Sequence, residues 1–260
     1  MEQLLQQMEK ELVGQRQNIR LLVAALLAGG HVLLEGVPGI GKTKMVRTLS
    51  GLIGGESRRI QFTPDMMPSD IIGHVVFNMQ DNRFETIKGP VFANLLLADE
   101  INRTPPKTQA ALLEAMEEGQ VTIHGVTYPL PEPFFVVATQ NPVEYEGTYV
   151  LPEAQLDRFL FKLTMQYPSH ESEKQILVQH VRHTGGQEAK QAPICSLDDI
   201  LEQRRKLQDV VVDDSIFEYI TTLIRKTRET KRLLLGASSV PGLRFSWPAR
   251  LGRFWTAAST

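Results

Sequence analysis

The fold is decided by the stretch Gly36-Val37-Pro38-Gly39-Ile40-Gly41-Lys42-Thr43, whose spacing of Gly, four residues and Gly-Lys-Thr is that of a phosphate-binding loop. Glycines at these positions let successive backbone N–H groups turn inward and hold phosphate oxygens. Lys42 would place a point charge between the β- and γ-phosphates of a nucleotide, and the Thr43 hydroxyl can ligate Mg²⁺. The stretch therefore predicts a site for a nucleotide with Mg²⁺.

The flanks of this loop favour the same interpretation over a chance glycine-rich turn. An apolar run at 31–35 predicts a strand before the loop, and the residues from Lys42 onward predict a helix after it. The N-terminus of that helix would face the phosphates, where its backbone N–H groups and its dipole favour negative charge.

The bulk composition is that of an ordinary globular chain and excludes several classes of protein. The chain has 260 residues, of which 42% are hydrophobic and 22% are charged, and its net charge is -2. The near-neutral charge gives no electrostatic reason to expect nucleic acid as a partner. Cys195 is the single cysteine, so it excludes an internal disulfide, and we expect it to be a bystander.

The N-terminal residues 1–12 carry acids and lack the apolar core of an export signal. The longest early apolar run, 21–28, is too short to span a bilayer. We therefore expect no insertion into a membrane and a cytoplasmic location.

Apolar strand-like runs alternate with helical patterns between residues 31 and 164, which predicts a largely parallel sheet with helices on both faces. Two hairpins interrupt the alternation, and polar helical patterns replace it after Pro168. The predicted strands are 31–35, 59–62, 94–98, 134–139 and 159–164, the hairpins lie near 74–87 and 121–128, and the helices are 2–12, 15–28, 169–183, 197–209 and 213–230. The chain is thus predicted to be an α/β domain over 1–168 followed by a small helical domain.

Two acids, Asp99 and Glu100, end the predicted strand 94–98. A carboxylate at the end of a buried strand beside the strand of the P-loop can hold the hydration shell of Mg²⁺, which is the role expected of Asp99. A second carboxylate can polarise the attacking water, which makes Glu100 the candidate general base. The alternative is that both acids cap the next helix, but the P-loop upstream favours the catalytic interpretation.

Two further side chains are candidates with a plainer alternative each. Asn141 follows the strand 134–139 and could touch the γ-phosphate or orient water, although an Asn before Pro is common in turns. Arg158 could pair on the surface with Asp157 or Glu153, or it could reach the γ-phosphate of a neighbouring subunit.

These pieces occur in one order, and several longer stretches accompany them. The stretches are Val32-Leu-Leu-Glu35, Arg59-Ile-Gln-Phe-Thr-Pro-Asp65, Pro68-Ser-Asp70, Gly89-Pro-Val-Phe-Ala-Asn94, Ala98-Asp-Glu-Ile-Asn-Arg103, Pro106-Lys-Thr-Gln-Ala-Ala-Leu-Leu-Glu-Ala-Met116, Ala138-Thr-Gln-Asn-Pro142 and Glu146-Gly-Thr-Tyr-Val-Leu-Pro-Glu-Ala-Gln-Leu-Asp-Arg-Phe159. Their order resembles the AAA+ ATPases, and the stretches themselves resemble the MoxR family over about residues 12 to 238.

The resemblance implies a P-loop NTPase αβα sandwich with a parallel sheet (the AAA+ core), followed by a small helical lid domain. It implies ATP and Mg²⁺ as cofactors and one role for each matching residue. Lys42 and Thr43 would serve as Walker A, Asp99 and Glu100 as Walker B, Asn141 as sensor 1, Arg158 as an arginine finger acting across subunits with Arg103 as a helper, and Val13-Gly14-Gln15 as the segment near adenine.

The resemblance also implies two inserted segments and a mode of assembly. Residues 63–88 would be the insertion in the second helix of the family, and 121–130 its hairpin before sensor 1. Such proteins form rings, usually hexamers, and act as chaperones on partner proteins, often with a von Willebrand factor A domain and sometimes in metal-cofactor insertion.

The C-terminal part departs from the family pattern. Members read Gly-Ala-Ser-Pro-Arg there, and the arginine is sensor 2, whereas here Ser238 is followed by Ser239-Val240-Pro241. Residues 239–260 contain both tryptophans, three arginines and no acid. We expect a lid domain over 169–238 that lacks its last helices, with a frame change or truncation after Ser238; the alternative is real divergence in which Arg244 or Arg250 substitutes.

Four functions compete on the sequence. The leading one is an ATP-driven remodelling chaperone, and its nearest competitor is an ATP-binding scaffold whose hydrolysis is impaired by the altered C-terminal part. A GTPase switch would need an Asn-Lys-x-Asp segment, which the sequence lacks. A nucleic-acid motor would need a basic stripe with aromatic residues, and near-neutral charge argues against it.

Overall fold

The structure, a computed structural model, describes residues 1–142, 148–183 and 192–230. The chain divides into two compact units, Met1–Asp199 and Ile200–Thr260. The domain ranges predicted from the sequence stay predictions, and the predicted atypical segment 239–260 lies outside the described residues.

The first unit contains a five-stranded parallel sheet and two separate antiparallel hairpins. Its apolar runs form strands because alternate residues are buried on opposite faces, so that both faces exclude water. The strands are β1 (Val32–Glu35), β2 (Ser57–Gln61), β3 (Gly73–Asn78), β4 (Arg83–Lys88), β5 (Leu95–Asp99), β6 (Gln120–Ile123), β7 (Val126–Pro129), β8 (Phe135–Gln140) and β9 (Phe161–Thr164).

The helices for which amphipathic patterns predict bounds are present among the described residues, and the helix predicted after the P-loop, α3, contacts β5 of the sheet. Most of their ends lie within two residues of the predicted ones. The helices at 68–72, 106–118 and 153–156 had no predicted bounds. The helices are α1 (Glu2–Glu11), α2 (Arg16–Ala28), α3 (Lys42–Leu52), α4 (Pro68–Ile72), α5 (Pro106–Glu118), α6 (Glu153–Leu156), α7 (His170–His183), α8 (Leu197–Gln208) and α9 (Asp214–Glu229).

The strand order in the sheet is β2-β5-β8-β1-β9. The predicted α/β class with a parallel sheet is therefore confirmed, but the predicted neighbourhood of Asp99 is wrong in one respect. The strand that carries Asp99 is not beside the P-loop strand, because β8 pairs with both and lies between them. Strand order depends on the crossover connections, which local apolar patterns do not record.

The centre of the sheet is fully buried, and its edges are not. Every residue of β5 is buried, whereas the edge strand β2 buries only Ile60 and exposes Arg58 and Arg59. Charged side chains on an edge strand discourage pairing with another chain. Arg59 of β2 reaches the Asp99 carboxylate at the carboxyl end of β5.

His31 shows why a buried titratable side chain need not be functional. The residue is 6% exposed, and its Nδ1 accepts a hydrogen bond from the Val136 N–H at 3.1 Å. Its Nε2 lies 3.1 Å from the Met116 carbonyl oxygen, to which it donates in this tautomer. Both ring nitrogens are therefore used to tie α5 and β8 to the start of β1.

Cys195 is buried between short segments of the first unit. It forms an isolated parallel bridge with Ile53, and its carbonyl oxygen accepts from the Gly54 N–H at 2.8 Å. Burial, and next the nearby negative charge of Asp199, raise the pKa of the Cys195 thiol above its ordinary value. A raised pKa lowers the thiolate fraction, which agrees with a structural residue.

The α8 and α9 helices begin with side-chain caps. The Asp199 carboxylate accepts from the Ser196 N–H at 2.8 Å, while the Ser196 hydroxyl accepts from the Asp199 N–H at 3.1 Å, which is a capping box. The hydrogen bonds from Ser196 lower the pKa of Asp199. In the second unit, Asp213 caps α9 by accepting from the Ser215 N–H at 2.9 Å. No helix among the described residues is long and apolar enough to cross a bilayer.

We expect Gly89→Ala to destabilise the first unit, because the added Cβ would meet the Ile71 carbonyl oxygen and would lie 2.6 Å from the Gly73 nitrogen. These backbone atoms fasten the β3–β4 hairpin to α4, and overpacking of this kind costs about 1–3 kcal/mol. Urea unfolding of the variant measures the loss.

The matched control is Gly51→Ala, at an exposed position of α3 where an added Cβ meets nothing within 4 Å. Removing a helical glycine should raise the unfolding free energy by up to about 1 kcal/mol. Equal stability changes in the two variants would contradict the packing described for Gly89.

Candidate nucleotide-binding site

The P-loop connects the end of β1 to the start of α3, and its glycines leave the backbone open to a ligand on one side. Gly39 and Gly41 have φ angles of 84° and 93°, which favour glycine, and a Cβ on either would meet nothing within 4 Å. A Cβ on Gly36, in contrast, would collide with Ile40 and would approach the Met165 carbonyl oxygen at 2.8 Å. The loop thus leaves room on one side and packs against the end of β9 on the other.

Lys42 begins α3 and is 9% exposed. Its Nζ donates to the Gly36 carbonyl oxygen at 2.6 Å and to the Gln140 carbonyl oxygen at 3.2 Å. The ammonium group therefore joins the start of the P-loop to the carboxyl end of β8. Phosphate oxygens are stronger acceptors than these carbonyls because they carry charge.

Asp99 is 6% exposed, and both of its carboxylate oxygens are hydrogen-bonded. Its Oδ1 accepts from the Thr139 hydroxyl at 2.5 Å. Its Oδ2 accepts from Arg59, with 2.8 Å to a terminal guanidinium nitrogen and 3.2 Å to Nε, and lies 3.5 Å from the Thr43 hydroxyl oxygen. The predicted pair Thr43 and Asp99 is thus brought together, even though the strand that carries Asp99 is not beside the P-loop strand.

Glu100 has a left-handed backbone conformation, with a φ of 60°. Such a conformation is costly for a non-glycine residue and persists when its surroundings fix it. Here the Glu100 N–H donates to the Thr139 hydroxyl at 2.9 Å, and the carboxylate Oε2 accepts from Gln61 Nε2 at 2.7 Å and from Arg103 Nε at 3.1 Å. The carboxylate is therefore held beside the end of β2.

Asn141 follows β8 directly and is 4% exposed. Its carbonyl oxygen accepts from Asn102 Nδ2 at 3.3 Å, which ties the segment after β8 to the segment after β5. Gln109, fully buried on α5, strengthens this tie by donating to the carbonyl oxygens of Ile101, Thr104 and Tyr149 at 3.1–3.2 Å. The backbone of Asn141 is thus tied to the segment that follows Asp99 and Glu100.

Arg158 follows α6, and its guanidinium group contacts Glu117 of α5 at 2.9 Å and the Ala154 carbonyl oxygen at 2.8 Å. The sequence indicated Asp157 or Glu153 as surface partners and did not indicate Glu117. The P-loop, Asp99 and Glu100 are joined to one another through β8, and Arg158 is not part of those contacts. Its predicted role across a subunit interface stays a prediction.

A polar cavity of about 510 Å³ opens beside Gly14. Gly14 has a φ of 79°, and Asn18 Nδ2 donates to Gln15 Oε1 at 2.8 Å in the cavity wall. The opposite wall follows Met165, the residue that packs against Gly36. The lining of the cavity comprises Gly14, Gln15, Gln17, Asn18, Leu21, Lys162, Leu163, Thr164, Gln166, Tyr167, Pro168, Ser169 and Ser172.

Comparison with known proteins identifies the family. The family model described as "ATPase family associated with various cellular activities (AAA)" matches residues 31–161. The protein named Chaperone MoxR1 of Mycobacterium tuberculosis is 46% identical over 227 residues, which are 87% of this chain and 59% of that protein. The chain belongs to the MoxR family of AAA+ ATPases.

Two further relatives agree with this membership of the MoxR family. YeaC of Bacillus subtilis, an uncharacterized protein, is 55% identical over 228 residues, which are 87% of this chain and 70% of YeaC. A crystal structure of a candidate ATPase from Cytophaga hutchinsonii superposes with a TM-score of 0.89 at 42% identity, over 98% of this chain and 80% of that one. The chain thus spans 70% of YeaC and 59% of Chaperone MoxR1.

The donor set at Asp99 fits the Mg²⁺ that AAA+ ATPases use. The metal prefers oxygen ligands and keeps several waters, and a hydroxyl and a carboxylate oxygen 3.5 Å apart suit that preference. Among the described residues, no group of three or more His, Cys, Asp or Glu side chains could hold another metal ion.

Three residues of this MoxR-family site have no predicted role in the sequence: Arg59, Gln61 and Thr139. Arg59 and Gln61 lie within a stretch that resembles the family, but β2 was recognised only as a strand. The sequence did contain one indication of a shared role. Arg59 and Gln61 are two residues apart in β2, so their long polar side chains lie on the same face of the strand. Thr139 is an ordinary strand residue, and nothing in its local sequence indicates its two partners.

We expect Thr139→Val to destabilise the protein, because Asp99 Oδ1 and the Glu100 N–H would both lose their hydrogen-bond partner. Leaving buried polar groups unpaired costs about 1–3 kcal/mol for each group. Thr122→Val is the control, since its hydroxyl contacts only Thr127 at an exposed position. Guanidinium unfolding compares the two, and an equally small effect in both would contradict the role given to Thr139.

Proposed function

We propose that this chain binds ATP with Mg²⁺ and hydrolyses it to remodel a partner protein. The observation that carries the proposal is the meeting of the predicted groups at the carboxyl ends of β1, β5 and β8. Lys42 contacts the end of β8, Thr43 lies 3.5 Å from Asp99, and Thr139 links Asp99 to Glu100. Open parallel sheets bind ligands at this edge.

Each residue has a physical task in this proposal. The P-loop N–H groups cradle the phosphates, and Lys42 exchanges its carbonyl acceptors for phosphate oxygens. Thr43 and Asp99 hold Mg²⁺, which supplies positive charge to the phosphates when it is bound. Glu100 orients and polarises the attacking water, and Asn141 positions it or the γ-phosphate.

The adenine base of ATP is proposed to occupy the cavity beside Gly14. The cavity is lined by Gly14 and Gln15 of the predicted adenine segment, and polar side chains such as Gln15 and Asn18 offer hydrogen bonds to the adenine ring. Gly14 suits a wall because a side chain there would be strained and would approach the Ser172 hydroxyl oxygen at 3.1 Å.

The remodelling part of the proposal rests on the relative named Chaperone MoxR1 and on the exposed apolar surface of the hairpin β3–β4. Phe77 and Phe84 face each other across that hairpin at 5.2 Å and are 48% and 75% exposed. Exposed aromatic pairs of this kind favour contact with other proteins. The proposal has three further parts. The chain assembles as a ring homo-oligomer, most simply a hexamer; its partner carries a von Willebrand factor A domain; and it acts in the cytoplasm.

The second candidate is the ATP-binding scaffold whose hydrolysis is impaired. It is motivated by the sequence after Ser238, where the sensor 2 arginine of the family is missing. Nucleotide binding is common to both candidates, so turnover distinguishes them.

We expect Glu100→Gln to lower the ATP turnover number by roughly 10²–10⁴-fold while ATP binding persists, because a neutral amide is a poor base. Glu114→Gln, at an exposed position of α5, is the control and should leave turnover unchanged. Steady-state phosphate release and calorimetric ATP binding measure the two quantities. Binding without turnover in the unmodified chain would favour the scaffold, and absence of binding would refute both candidates.

We expect Arg158→Ala to lower turnover by about 10³-fold or more if the arginine acts on the nucleotide of a neighbouring subunit. Glu117→Gln breaks the same ion pair but keeps the arginine, so it should retain turnover. Mixing Arg158→Ala with Glu100→Gln subunits should restore part of the activity, because some interfaces then combine one intact Arg158 with one intact Glu100. A mixture no more active than its components would contradict the action across subunits.

A further inference from the structure

Arg59 donates hydrogen bonds to Oδ2 of Asp99, the carboxylate oxygen that faces the hydroxyl group of Thr43. Two guanidinium nitrogens of Arg59 lie 2.8 and 3.2 Å from Asp99 Oδ2, the same oxygen that lies 3.5 Å from the Thr43 hydroxyl. The other oxygen, Oδ1, is taken by the buried Thr139 hydroxyl. The Asp99 oxygen that faces Thr43 is therefore covered by a side-chain cation.

The position of Arg59 follows from the pairing of β2 with β5. The two strands are parallel, with Arg59 opposite Leu97 and Gln61 opposite Asp99. Because residues two apart in a strand share a face, Arg59 and Gln61 extend on the side of Asp99. The Arg59 side chain is 45% exposed and that of Asp99 only 9%, so the arginine reaches the carboxylate from the solvent side.

We propose that Arg59 is a stand-in cation that neutralises Asp99 in the metal-free protein and competes with Mg²⁺ for Oδ2. This inference rests on the proposed function, in which Thr43 and Asp99 hold Mg²⁺. A nearly buried carboxylate is costly when its charge is unpaired, so a cation at Oδ2 stabilises the protein between nucleotides. The arginine must leave Oδ2 when the metal and its waters arrive, and its exposure gives it room to do so.

The same arginine also reaches the second acid. A terminal nitrogen of Arg59 donates to Gln61 Oε1 at 2.7 Å, which orients the amide so that its Nε2 donates to Glu100 Oε2 at 2.7 Å. Asp99, Arg59, Gln61 and Glu100 therefore form one hydrogen-bonded chain. If Arg59 also leaves Gln61 when it leaves Asp99, the amide loses the contact that orients it, and the Gln61 contact of Glu100 is weakened while the Arg103 contact remains.

The alternative is that Arg59 forms only an ordinary surface ion pair with Asp99. The neighbouring Arg58 forms such a surface ion pair and serves as the comparison. Arg58 pairs with Glu56 at 2.6 Å, its side chain is 42% exposed, and neither residue belongs to the site. Arg58→Gln and Arg59→Gln therefore remove the same charge from adjacent, equally exposed positions of one strand. Only the second substitution touches Asp99.

The test is an Mg²⁺ titration of the full chain at a saturating concentration of a non-hydrolysable ATP analogue, with the melting temperature as readout. Arg59→Gln is expected to lower the half-saturating Mg²⁺ concentration by about three- to fivefold, the range of a partly exposed ion pair. Arg58→Gln should leave it unchanged, and Arg59→Lys, which keeps the charge, should lie between. An unchanged or higher half-saturating concentration for Arg59→Gln overturns the proposal, since the arginine would then be neutral to the metal or assist it.

A metal-free double-mutant cycle separates this inference from the proposed function. Without Mg²⁺ and nucleotide, Arg59→Gln and Asp99→Asn should be non-additive in the unfolding free energy, whereas Arg58→Gln and Asp99→Asn should be additive. Additivity of the first pair overturns the proposal even if ATP binds. If the analogue with Mg²⁺ fails to stabilise the unmodified chain, the proposed function fails and the competition fails with it, and the cycle then reports on the ion pair alone.

Discussion

The carboxylate of Asp99 is the constraint on which the rest of the site depends. It is nearly buried at the end of a fully buried strand, where an unpaired charge would be costly. Three side chains from three different segments therefore converge on it: Thr139 from β8, Arg59 from β2 and Thr43 from the start of α3. These contacts with Asp99 hold three elements in place relative to one another. The elements are the edge strand β2, the end of β8 and the start of α3.

The cations of the site follow the same logic. Lys42 is satisfied by backbone carbonyl oxygens, and Arg59 and Arg103 are satisfied by carboxylates, so the positive charges have partners within the protein. In the proposed function, binding of a nucleotide with its metal would exchange these partners for phosphate oxygens, water and metal-bound ligands. The free energy of binding would thus be a difference between two satisfied states, to which a residue proposed to stabilise the metal-free state, such as Arg59, would also contribute.

Much of the fold and part of the site could be predicted from the sequence, for reasons visible in particular elements. β5 and β8 are continuous apolar runs because both faces of a central parallel strand are buried, and the P-loop has a spacing that few other structures need. The placement of Asp99 beside the P-loop strand was wrong because strand order is set by crossovers. The shared face of Arg59 and Gln61 could have been read from the sequence, but their partners could not, because these depend on the register between β2 and β5.

The central claim is that the carboxyl ends of β1, β5 and β8 form the binding site for ATP and Mg²⁺. A crystal structure of the full chain with Mg²⁺ and a non-hydrolysable ATP analogue tests it most directly. The account predicts that phosphate oxygens accept hydrogen bonds from Lys42 Nζ and that the metal lies between Thr43 and Asp99. It also predicts that the adenine base lies in the cavity beside Gly14. A well-ordered analogue bound elsewhere, with Lys42 still donating to the Gly36 and Gln140 carbonyl oxygens, would contradict it.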